Sequence, residues 1–445
     1  MMNKHLFSFI VSALCLIFSS GLMAQTTNWR EVYKVKKKDT IYGIANQFGI
    51  SIPDLVKANP EMAKEGYTLK KGDILYIPNV GEKPKASQTK QETQSSVVKV
   101  GIMLPLHNND GDGLRMVEYY RGFLLAVDQL KQEGLSVDVK SWNVPQDADI
   151  RNILLQEGAK ECNIIFGPLY TKQVSALSGF CKTYNIKLVI PFSIESSEVN
   201  SNSQIFQIYQ PSARVLQTTA EVFVNRFKNF HPILIDCNDP STAKGEFTKE
   251  LRKQLDKNNI VYSLTNINSP SESFAKAFDR VRPNIVILNA SSSPKLNEVF
   301  TKLDFLTSTN PNLKISMFGH TEWLMYEKYD IKNFKKYDVY IPSTYYYNPT
   351  SERFITFNKA YKSWFHTDMM QQYIPRFAIT GFDHAEYFLR GYRKFGQNFI
   401  GSPAQSTYQP IQTPLHFGRI PGGGMINQNF QLIHYTDSKI ETIVY

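Results

Sequence analysis

Residues with catalytic chemistry occur in this chain without the partners that catalysis requires. Ser241 and Lys244 have the spacing of a serine nucleophile and its lysine base, but the same spacing also begins at other serines and no Lys-Thr-Gly sequence occurs. The histidines never form His-Glu-x-x-His or another zinc-binding spacing. Asp383 and His384 would pair an acid with a base, yet adjacent side chains on a helix point apart. We therefore predict no catalytic residues, no metal and no cofactor.

Three cysteines lie in predicted core elements, so none is a good candidate for a nucleophile. Cys162 begins a predicted strand, and Cys181 lies near the end of the helix that follows it. A strand and a returning helix bring these two ends to the same edge of a sheet, so a disulfide bridge between them is geometrically possible. Two buried, reduced thiols are the alternative, because cysteine often packs as a small apolar residue. A fourth cysteine, Cys15, lies in the apolar N-terminal run, and without it the count of three is odd and leaves at least one thiol free.

The predicted structural elements begin with a short unit between residues 33 and 78. Asp39 and Thr40 form a helix N-cap pair, and apolar residues follow them at helical spacing. Ser51 can cap a second helix. Residues 74–77 alternate as a second strand, which ends at a proline. The pattern therefore predicts a strand, two helices and a second strand.

This pattern resembles the LysM domain, a module that binds N-acetylglucosamine chains in peptidoglycan and chitin. The resemblance covers residues 31–79 and implies a shallow groove with two walls. The glycan-binding residues that it implies for these walls are Asp39, Thr40, Ile41, Tyr42, Asn59 and Pro60. The sequence departs from the family at Lys38, where glycine is usual. A helical hairpin without a ligand is the alternative interpretation.

An apolar run occupies the N-terminus. Lys4 precedes the apolar residues 6–18, and small residues lead to Ala24, a pattern that predicts a signal peptide over residues 1–24. No other segment approaches the roughly 18 consecutive apolar residues of a membrane helix. We therefore expect a secreted protein that is located in the periplasm and associated with the cell wall.

The formal net charge of the chain is +10 at pH 7. Such a charge could attract the protein to wall carboxylates or to lipopolysaccharide phosphates. Nucleic acid is the generic partner of basic proteins, but the predicted signal peptide argues against it. The sequence also lacks long Lys/Arg-rich runs with interleaved aromatic residues. We predict peptidoglycan as a partner and no nucleic acid.

The remainder of the chain changes character twice. Residues 80–96 are polar and without apolar periodicity, which predicts a flexible linker. Over residues 97–445, short apolar runs alternate with helical patterns, as is typical of a parallel sheet covered on both faces. Segments 204–212 and 342–352 would cross between two such sheets. The predicted fold class is α/β, with a small βααβ unit followed by two lobes that each contain a doubly wound parallel sheet.

The order of motifs after residue 97 resembles the type 1 periplasmic-binding proteins, especially the leucine/isoleucine/valine receptors. The motifs that carry the resemblance lie at 101–106, 164–170, 189–193, 206–208 and 381–385. In that family a small ligand binds between the lobes, where helix N-termini face its carboxylate. The cleft residues that the resemblance implies are Tyr170, Thr171, Ser193 and Ser196 from the first lobe, and Tyr345 and Asp383 from the second.

Charges in the first-lobe loops depart from the family pattern. Glu195 lies in the second loop, and Asp110 and Asp112 lie in the first, where they would repel a ligand carboxylate. Exposed aromatic residues near the second crossing, Tyr345–Tyr347 and Trp364–Phe365, could anchor a protein partner. The alternative is that these aromatic residues belong to the core.

Three functions fit these patterns. The first is a non-enzymatic, wall-anchored protein whose two-lobed domain binds a ligand or a partner such as a cell-wall synthase or hydrolase. Outer-membrane activators of penicillin-binding proteins that contain a similar two-lobed domain are a precedent. The second is a substrate-binding protein of the ABC-transporter type for an amino acid or another small solute. The third, a wall hydrolase, lacks a catalytic constellation. The unusual loop charges favour the first function.

Overall fold

The computed structural model describes residues 29–37, 39–48, 50–64, 67–78, 97–192, 196–405 and 408–445. The chain divides into two compact units, with the division between positions 93 and 94. The predicted signal peptide, residues 1–24, and the predicted linker, residues 80–96, lie outside the described residues. Within the described ranges, no helix has the length and apolar character that crossing a membrane requires.

The first unit contains a two-stranded sheet and two helices. Its elements are β1 (Trp29–Lys34), α1 (Ile41–Phe48), α2 (Ile52–Ala58), a 3-10 turn (Pro60–Ala63) and β2 (Ile74–Pro78). The strands are antiparallel, with Val32 opposite Tyr76. Apolar residues of both strands and both helices form one core, which includes Ile44, Leu55 and Leu75. The predicted βααβ arrangement is confirmed.

Side-chain caps begin both helices of this unit. Thr40 Oγ1 accepts a hydrogen bond from the Gly43 N–H at 3.0 Å. Ser51 Oγ accepts one from the Asp54 N–H at 3.1 Å. These oxygens satisfy backbone N–H groups that a helix leaves unpaired in its first turn. The two caps lie where the sequence predicts them.

The second unit contains two seven-stranded sheets with helices between their strands. The strands are β3 (Val98–Leu104), β4 (Val137–Asn143), β5 (Ile164–Phe166), β6 (Lys187–Ile190), β7 (Ile205–Gln207), β8 (His231–Asp236), β9 (Ser263–Asn266), β10 (Asn284–Leu288), β11 (Ile315–Phe318), β12 (Val339–Ser343), β13 (Phe417–Arg419), β14 (Met425–Asn427), β15 (Gln431–Tyr435) and β16 (Ile440–Val444). The helices are α3 (Gly111–Gln132), α4 (Ile150–Leu154), α5 (Thr171–Tyr184), α6 (Ser212–Phe227), α7 (Gly245–Lys257), α8 (Ser271–Ala275), α9 (Ser293–Thr309), α10 (Glu327–Lys336), α11 (Glu352–Phe365) and α12 (Phe377–Phe395).

Each sheet belongs to one lobe. The strand order is β13-β14-β7-β6-β5-β3-β4 in the first lobe and β16-β15-β12-β11-β10-β8-β9 in the second. Neighbouring strands are parallel except where β13, β15 and β16 pair with antiparallel partners. Central strands such as β5 and β10 are buried along their whole length, as expected when helices cover both faces of a sheet. The predicted two-lobed α/β fold is confirmed.

The chain passes between the two sheets three times. The first crossing follows β7 and the second follows β12, both inside the segments that the sequence predicts. The third crossing, between β14 and β15, was not among those predictions. Three separate segments therefore join the lobes. After the second crossing β13 and β14 complete the first-lobe sheet, and after the third crossing β15 and β16 complete the second-lobe sheet.

The longest helix contact in the first lobe depends on two glycines. A Cβ placed on Gly122 of α3 would lie 1.7 Å from the Ala378 carbonyl oxygen of α12. A Cβ placed on Gly381 of α12 would lie 1.9 Å from the Tyr119 carbonyl oxygen of α3. Any side chain at either position would therefore force the helices apart. The contact also places α12 in the first lobe.

Candidate functional site

Asp39 closes the turn between β1 and α1. Its Oδ2 atom accepts hydrogen bonds from the Lys36 backbone N–H at 2.7 Å and from the Tyr33 hydroxyl at 2.9 Å. The hydrogen bond to this carboxylate is the main reason that the pKa of Tyr33 is raised, and burial adds to the rise. Asp39 therefore shapes the backbone that leads into Thr40.

The same chemistry recurs in the turn before β2. The sequence Tyr-x-x-Lys-Lys-x-Asp occupies residues 33–39 and again 67–73. Asp73 Oδ2 accepts hydrogen bonds from the Lys70 N–H at 2.8 Å and from the Tyr67 hydroxyl at 3.4 Å. The two turns touch, since Val35 N–H donates to the Asp73 carbonyl at 2.9 Å. Our sequence prediction missed the second turn, although this repeat marks it.

The six predicted glycan-binding residues differ in accessibility. The Tyr42 side chain is 71% exposed, Thr40 and Pro60 are also exposed, and Asp39 and Ile41 are partly buried. Asn59 is fully buried. The exposed members are therefore free to contact a glycan directly.

Asn59 connects α2 to β2. Its Nδ2 group donates to the Leu55 and Tyr76 carbonyl oxygens, each at 2.8 Å. Its Oδ1 atom accepts from the Tyr76 N–H at 2.7 Å. Because these bonds use both ends of the amide, the side chain positions the second wall of the predicted groove.

In the second unit, the loops after the first-lobe strands carry acidic and aromatic side chains. Asp112 pairs with Arg115 and accepts a hydrogen bond from the Tyr170 hydroxyl at 3.1 Å. Burial, followed by this hydrogen bond, raises the pKa of Tyr170 to about 12. The predicted cleft residue Tyr170 is therefore bonded to an acid, and it remains a neutral phenol.

Aromatic rings fill the loop that follows β6. The ring of Phe192 lies 5.5 Å from that of Tyr119, 5.8 Å from Tyr209 and 5.7 Å from Phe377, measured between centroids. Such edge-on and tilted ring contacts add stability to that gained from the buried area alone. An apolar cluster therefore stands where a small ligand would need hydroxyl groups.

The other predicted cleft residues lie on separate segments of the chain. Thr171 is the first residue of α5, and Ser196 Oγ accepts a hydrogen bond from the Glu198 N–H at 3.3 Å. Ser193 lies outside the described residues. Tyr345 is half-buried in the second crossing, and its N–H donates to Ser343 Oγ at 3.2 Å.

Asp383 lies on α12 and thus in the first lobe, whereas the resemblance implied the second. Its Oδ1 accepts hydrogen bonds from the Tyr408 hydroxyl and from the Ile411 N–H at 2.8 Å. Its Oδ2 accepts from the N–H groups of Gln412 at 2.8 Å and Thr413 at 2.7 Å. Burial raises its pKa to about 6 against these hydrogen bonds. Protein donors therefore surround both carboxylate oxygens.

A pocket of about 210 Å³ lies on the second-lobe side of the crossings. It contains the ion pair between Lys244 Nζ and Glu322 Oε1, 2.5 Å apart, and the buried ring of His320. His320 Nε2 donates to the Leu288 carbonyl oxygen at 2.8 Å, and burial lowers the pKa of this histidine to about 4. None of the five predicted cleft residues that the structure describes lines this pocket.

The residues that resembled catalytic pairs have other partners. Ser241 Oγ donates to Asp239 at 2.5 Å, while Lys244 pairs with Glu322. His384 Nδ1 is bonded to the Tyr119 hydroxyl at 3.0 Å, and burial lowers the pKa of His384 to about 3. Neither arrangement places a base beside a nucleophile.

All three cysteines in the described residues are buried free thiols. Burial raises the pKa of Cys162 to about 11 and that of Cys237 to about 12. The pKa of Cys181 is raised well above its ordinary value, first by burial. Of the two alternatives that the sequence left open for Cys162 and Cys181, the structure has the reduced pair. Thiols of such high pKa are poor nucleophiles at neutral pH.

A groove of about 1020 Å³ lies in the second unit. Helices α3 and α11, the loop 409–414 and strands β15 and β16 line it. The lining mixes polar and apolar side chains, and Trp364 is 48% exposed among them. Sequence reasoning missed this groove, because its residues come from five distant segments.

Comparisons with known proteins agree with these two units. Residues 33–78 match the sequence profile of the LysM domain. No curated protein was found with significant similarity to the chain. The first unit therefore has a recognised family, and the second is related to known proteins through its fold.

Two solved structures are similar to the second unit. A putative branched-chain amino acid ABC transporter from Rhodospirillum rubrum aligns with a TM-score of 0.52 and 12% identity, covering 78% of this chain and all of that one (100%). LpoA of Haemophilus influenzae aligns with a TM-score of 0.50 and 13% identity, covering 80% of this chain and 60% of that one. These similarities show the type 1 periplasmic-binding-protein fold.

Proposed function

We propose that this protein is a non-enzymatic component of the cell wall, which binds peptidoglycan through its LysM domain. Its two-lobed domain would then be held at the wall to bind a partner or ligand there. The single observation that carries this proposal is the LysM domain at residues 33–78 with Thr40, Tyr42 and Pro60 exposed along its predicted groove. The same domain supports a location at the cell wall, and we place the protein in the periplasm.

The first-lobe loops support a partner other than a free amino acid. Arg115 and the Tyr170 hydroxyl are already bonded to Asp112, so a ligand carboxylate would have to compete with this acid for them. The neighbouring rings of Phe192 and Tyr119 offer no charged group to an amino acid. The two-lobed domain therefore fits regulation of a wall synthase or hydrolase better than capture of amino acids.

Co-sedimentation of the full chain with purified peptidoglycan tests the proposal. We expect the double substitution Thr40→Val/Tyr42→Ala to weaken binding by about tenfold or more, equivalent to about 1.4 kcal/mol. Tyr329→Ala is the matched control, because Tyr329 is a 79% exposed tyrosine in the second unit. Equal pelleting of wild type and double variant would remove the basis of the proposal.

A small-solute function rests on the pocket that contains Lys244 and Glu322. A zwitterion could exchange partners with this ion pair and so bind between charges of both signs. A thermal-shift screen of amino acids tests this second candidate, since a ligand at 100 times its Kd stabilises the folded state by about 2.7 kcal/mol. A flat response across the screen favours the wall-partner function.

A further inference from the structure

We propose that the groove between α3, α11 and β16 is a second glycan site, which takes a neutral oligosaccharide such as a stretch of the wall glycan. This inference rests on the proposed function, because it adds a carbohydrate contact on the two-lobed domain to the one in the LysM domain. The groove shares no lining residue with the pocket beside Lys244. Among the predicted cleft residues that the structure describes, Asp383 alone is connected to the groove, because it bonds the backbone of one wall.

Two helix faces of mixed polarity form the floor. Along α3 the lining residues are Leu125, Asp128, Gln129 and Gln132, and along α11 they are Glu352, Arg353, Thr356, Phe357, Ala360 and Trp364. Each set recurs at three- and four-residue spacing, so each is one face of its helix. Strand β16 contributes Ile440, Thr442 and Val444 on the opposite side.

An unpaired buried donor faces this groove. Gln431, on β15, lines the groove and is only 2% exposed. Its Nε2 group has no hydrogen-bond partner among the residues that the structure describes. Buried amide donors are nearly always bonded, because an unbonded one loses its hydration without compensation. We infer that the hydroxyl of a ligand in the groove supplies the acceptor once it reaches this amide.

The loop 408–413 is a rigid wall. The Asp383 carboxylate accepts the backbone N–H groups of Ile411, Gln412 and Thr413. The Gln412 side chain adds bonds to the Arg376 backbone, accepting from its N–H at 2.8 Å. A wall that is held in place before binding loses little conformational entropy when a ligand arrives. Asp383 thus acts as a positioning residue for this groove.

The chemistry of the lining favours a saccharide. The Trp364 ring offers an apolar face to the C–H side of a sugar ring, while amides and carboxylates can bond its hydroxyls. Asp128 and Glu352 disfavour an anionic polymer. The volume of about 1020 Å³ lies at the upper end of ligand pockets, about 300–1,000 Å³, so it suits an oligomer rather than one amino acid.

Calorimetric titration of the full chain with a chito-oligosaccharide tests this assignment. We expect two classes of site in the wild type. Trp364→Ala and Gln431→Leu should each weaken one class by about tenfold, and Tyr42→Ala should weaken only the other. Phe305→Ala is the matched control, because Phe305 is a 58% exposed aromatic residue outside the groove. The Gln431→Leu protein should also unfold at a higher temperature than the wild type, because it no longer buries an unpaired donor.

The outcomes separate this inference from the proposed function. A single class of sites that Tyr42→Ala abolishes leaves the LysM proposal intact and overturns the groove assignment. Two classes of which neither responds to Trp364→Ala also overturns it. If the groove variants leave saccharide binding unchanged but lose binding to stem peptides of the wall, the groove recognises peptide and the saccharide assignment is wrong.

Discussion

Replacement of Asp383 by alanine removes the acceptor that organises the loop 408–413. The carboxylate accepts three backbone N–H groups at 2.7–2.8 Å and one tyrosine hydroxyl. Asp383 and its three backbone partners are buried, so no other group replaces the carboxylate without rearrangement. Loss of this carboxylate should therefore lower the free energy of unfolding, whereas loss of an acid that only binds a ligand would lower the affinity alone.

The magnitude follows from the number of donors left unpaired. An unsatisfied buried donor costs about 1–3 kcal/mol of stability. Because four donors lose their acceptor, the largest possible loss in the free energy of unfolding is well above that of a typical substitution. Removing the buried charge offsets part of the loss, since burial already raises the pKa of Asp383 to about 6. We therefore expect Asp383→Ala to lower the free energy of unfolding by about 3–5 kcal/mol.

Urea unfolding measures this change, and Asp383→Asn is the graded control. An asparagine oxygen can replace Oδ2 for two N–H groups, while its NH₂ group can donate to Tyr408 and leaves only the Ile411 N–H unpaired. We expect this variant to lose about 1–2 kcal/mol. If Asp383→Ala is within about 0.5 kcal/mol of wild type, the carboxylate does not hold the loop and our account of the groove wall fails.

Three further predictions concern buried positions. Gly122→Ala should cost about 3 kcal/mol or more in urea unfolding, because its Cβ would meet the Ala378 oxygen at 1.7 Å; a neutral result would refute the close helix contact. His384 has a pKa lowered by burial to about 3, so as the pH falls from about 6.5 the wild type should lose about 1.4 kcal/mol per unit relative to His384→Gln. Lys187 has a pKa lowered to about 8, first by burial and then by Arg419, so wild-type stability should rise by about 3 kcal/mol between pH 8 and about 10.4, and Lys187→Met should remove this rise. Parallel pH profiles for wild type and variant would contradict the last two.

Local sequence signals predicted the elements well. Thr40 and Ser51 each precede an apolar repeat of helical spacing. A hydroxyl in that position can accept a hydrogen bond from an unpaired backbone N–H group of the first turn, so both residues cap helices. Strand β10 is apolar after its first residue, Asn284, so its burial on both faces could be predicted directly. The short edge strand β16 was missed because none of its residues is buried, so it lacks the apolar pattern of a core strand.

The candidate site was harder to predict, because side-chain roles depend on distant partners. Asn59 looks like a polar wall residue, yet it bonds Tyr76, 17 positions away in the chain. Asp383 looks like a ligand acid, yet its partners at 408–413 lie in a segment without helix or strand pattern. Sequence spacing cannot reveal such contacts. The repeat that contains Asp39 and Asp73 could have been found, because both halves have the same residue types at the same spacing.

The LysM unit has two accessible surfaces, and only one of them is the proposed glycan site. Thr40, Tyr42 and Pro60 lie along the predicted groove. Val32 and Ile74 are exposed on the outer face of the two-stranded sheet, which a sugar could also contact. Mapping of the bound surface therefore decides between them.

The most direct test is a chito-oligosaccharide titration of the LysM unit, which has a core of its own, followed by backbone amide NMR. We predict chemical-shift changes at residues 39–42 and in the segment that begins at Pro60, with the outer sheet face unchanged. Shifts confined to Val32 and Ile74, or no shifts at saturating sugar, would contradict a wall-binding role for this domain.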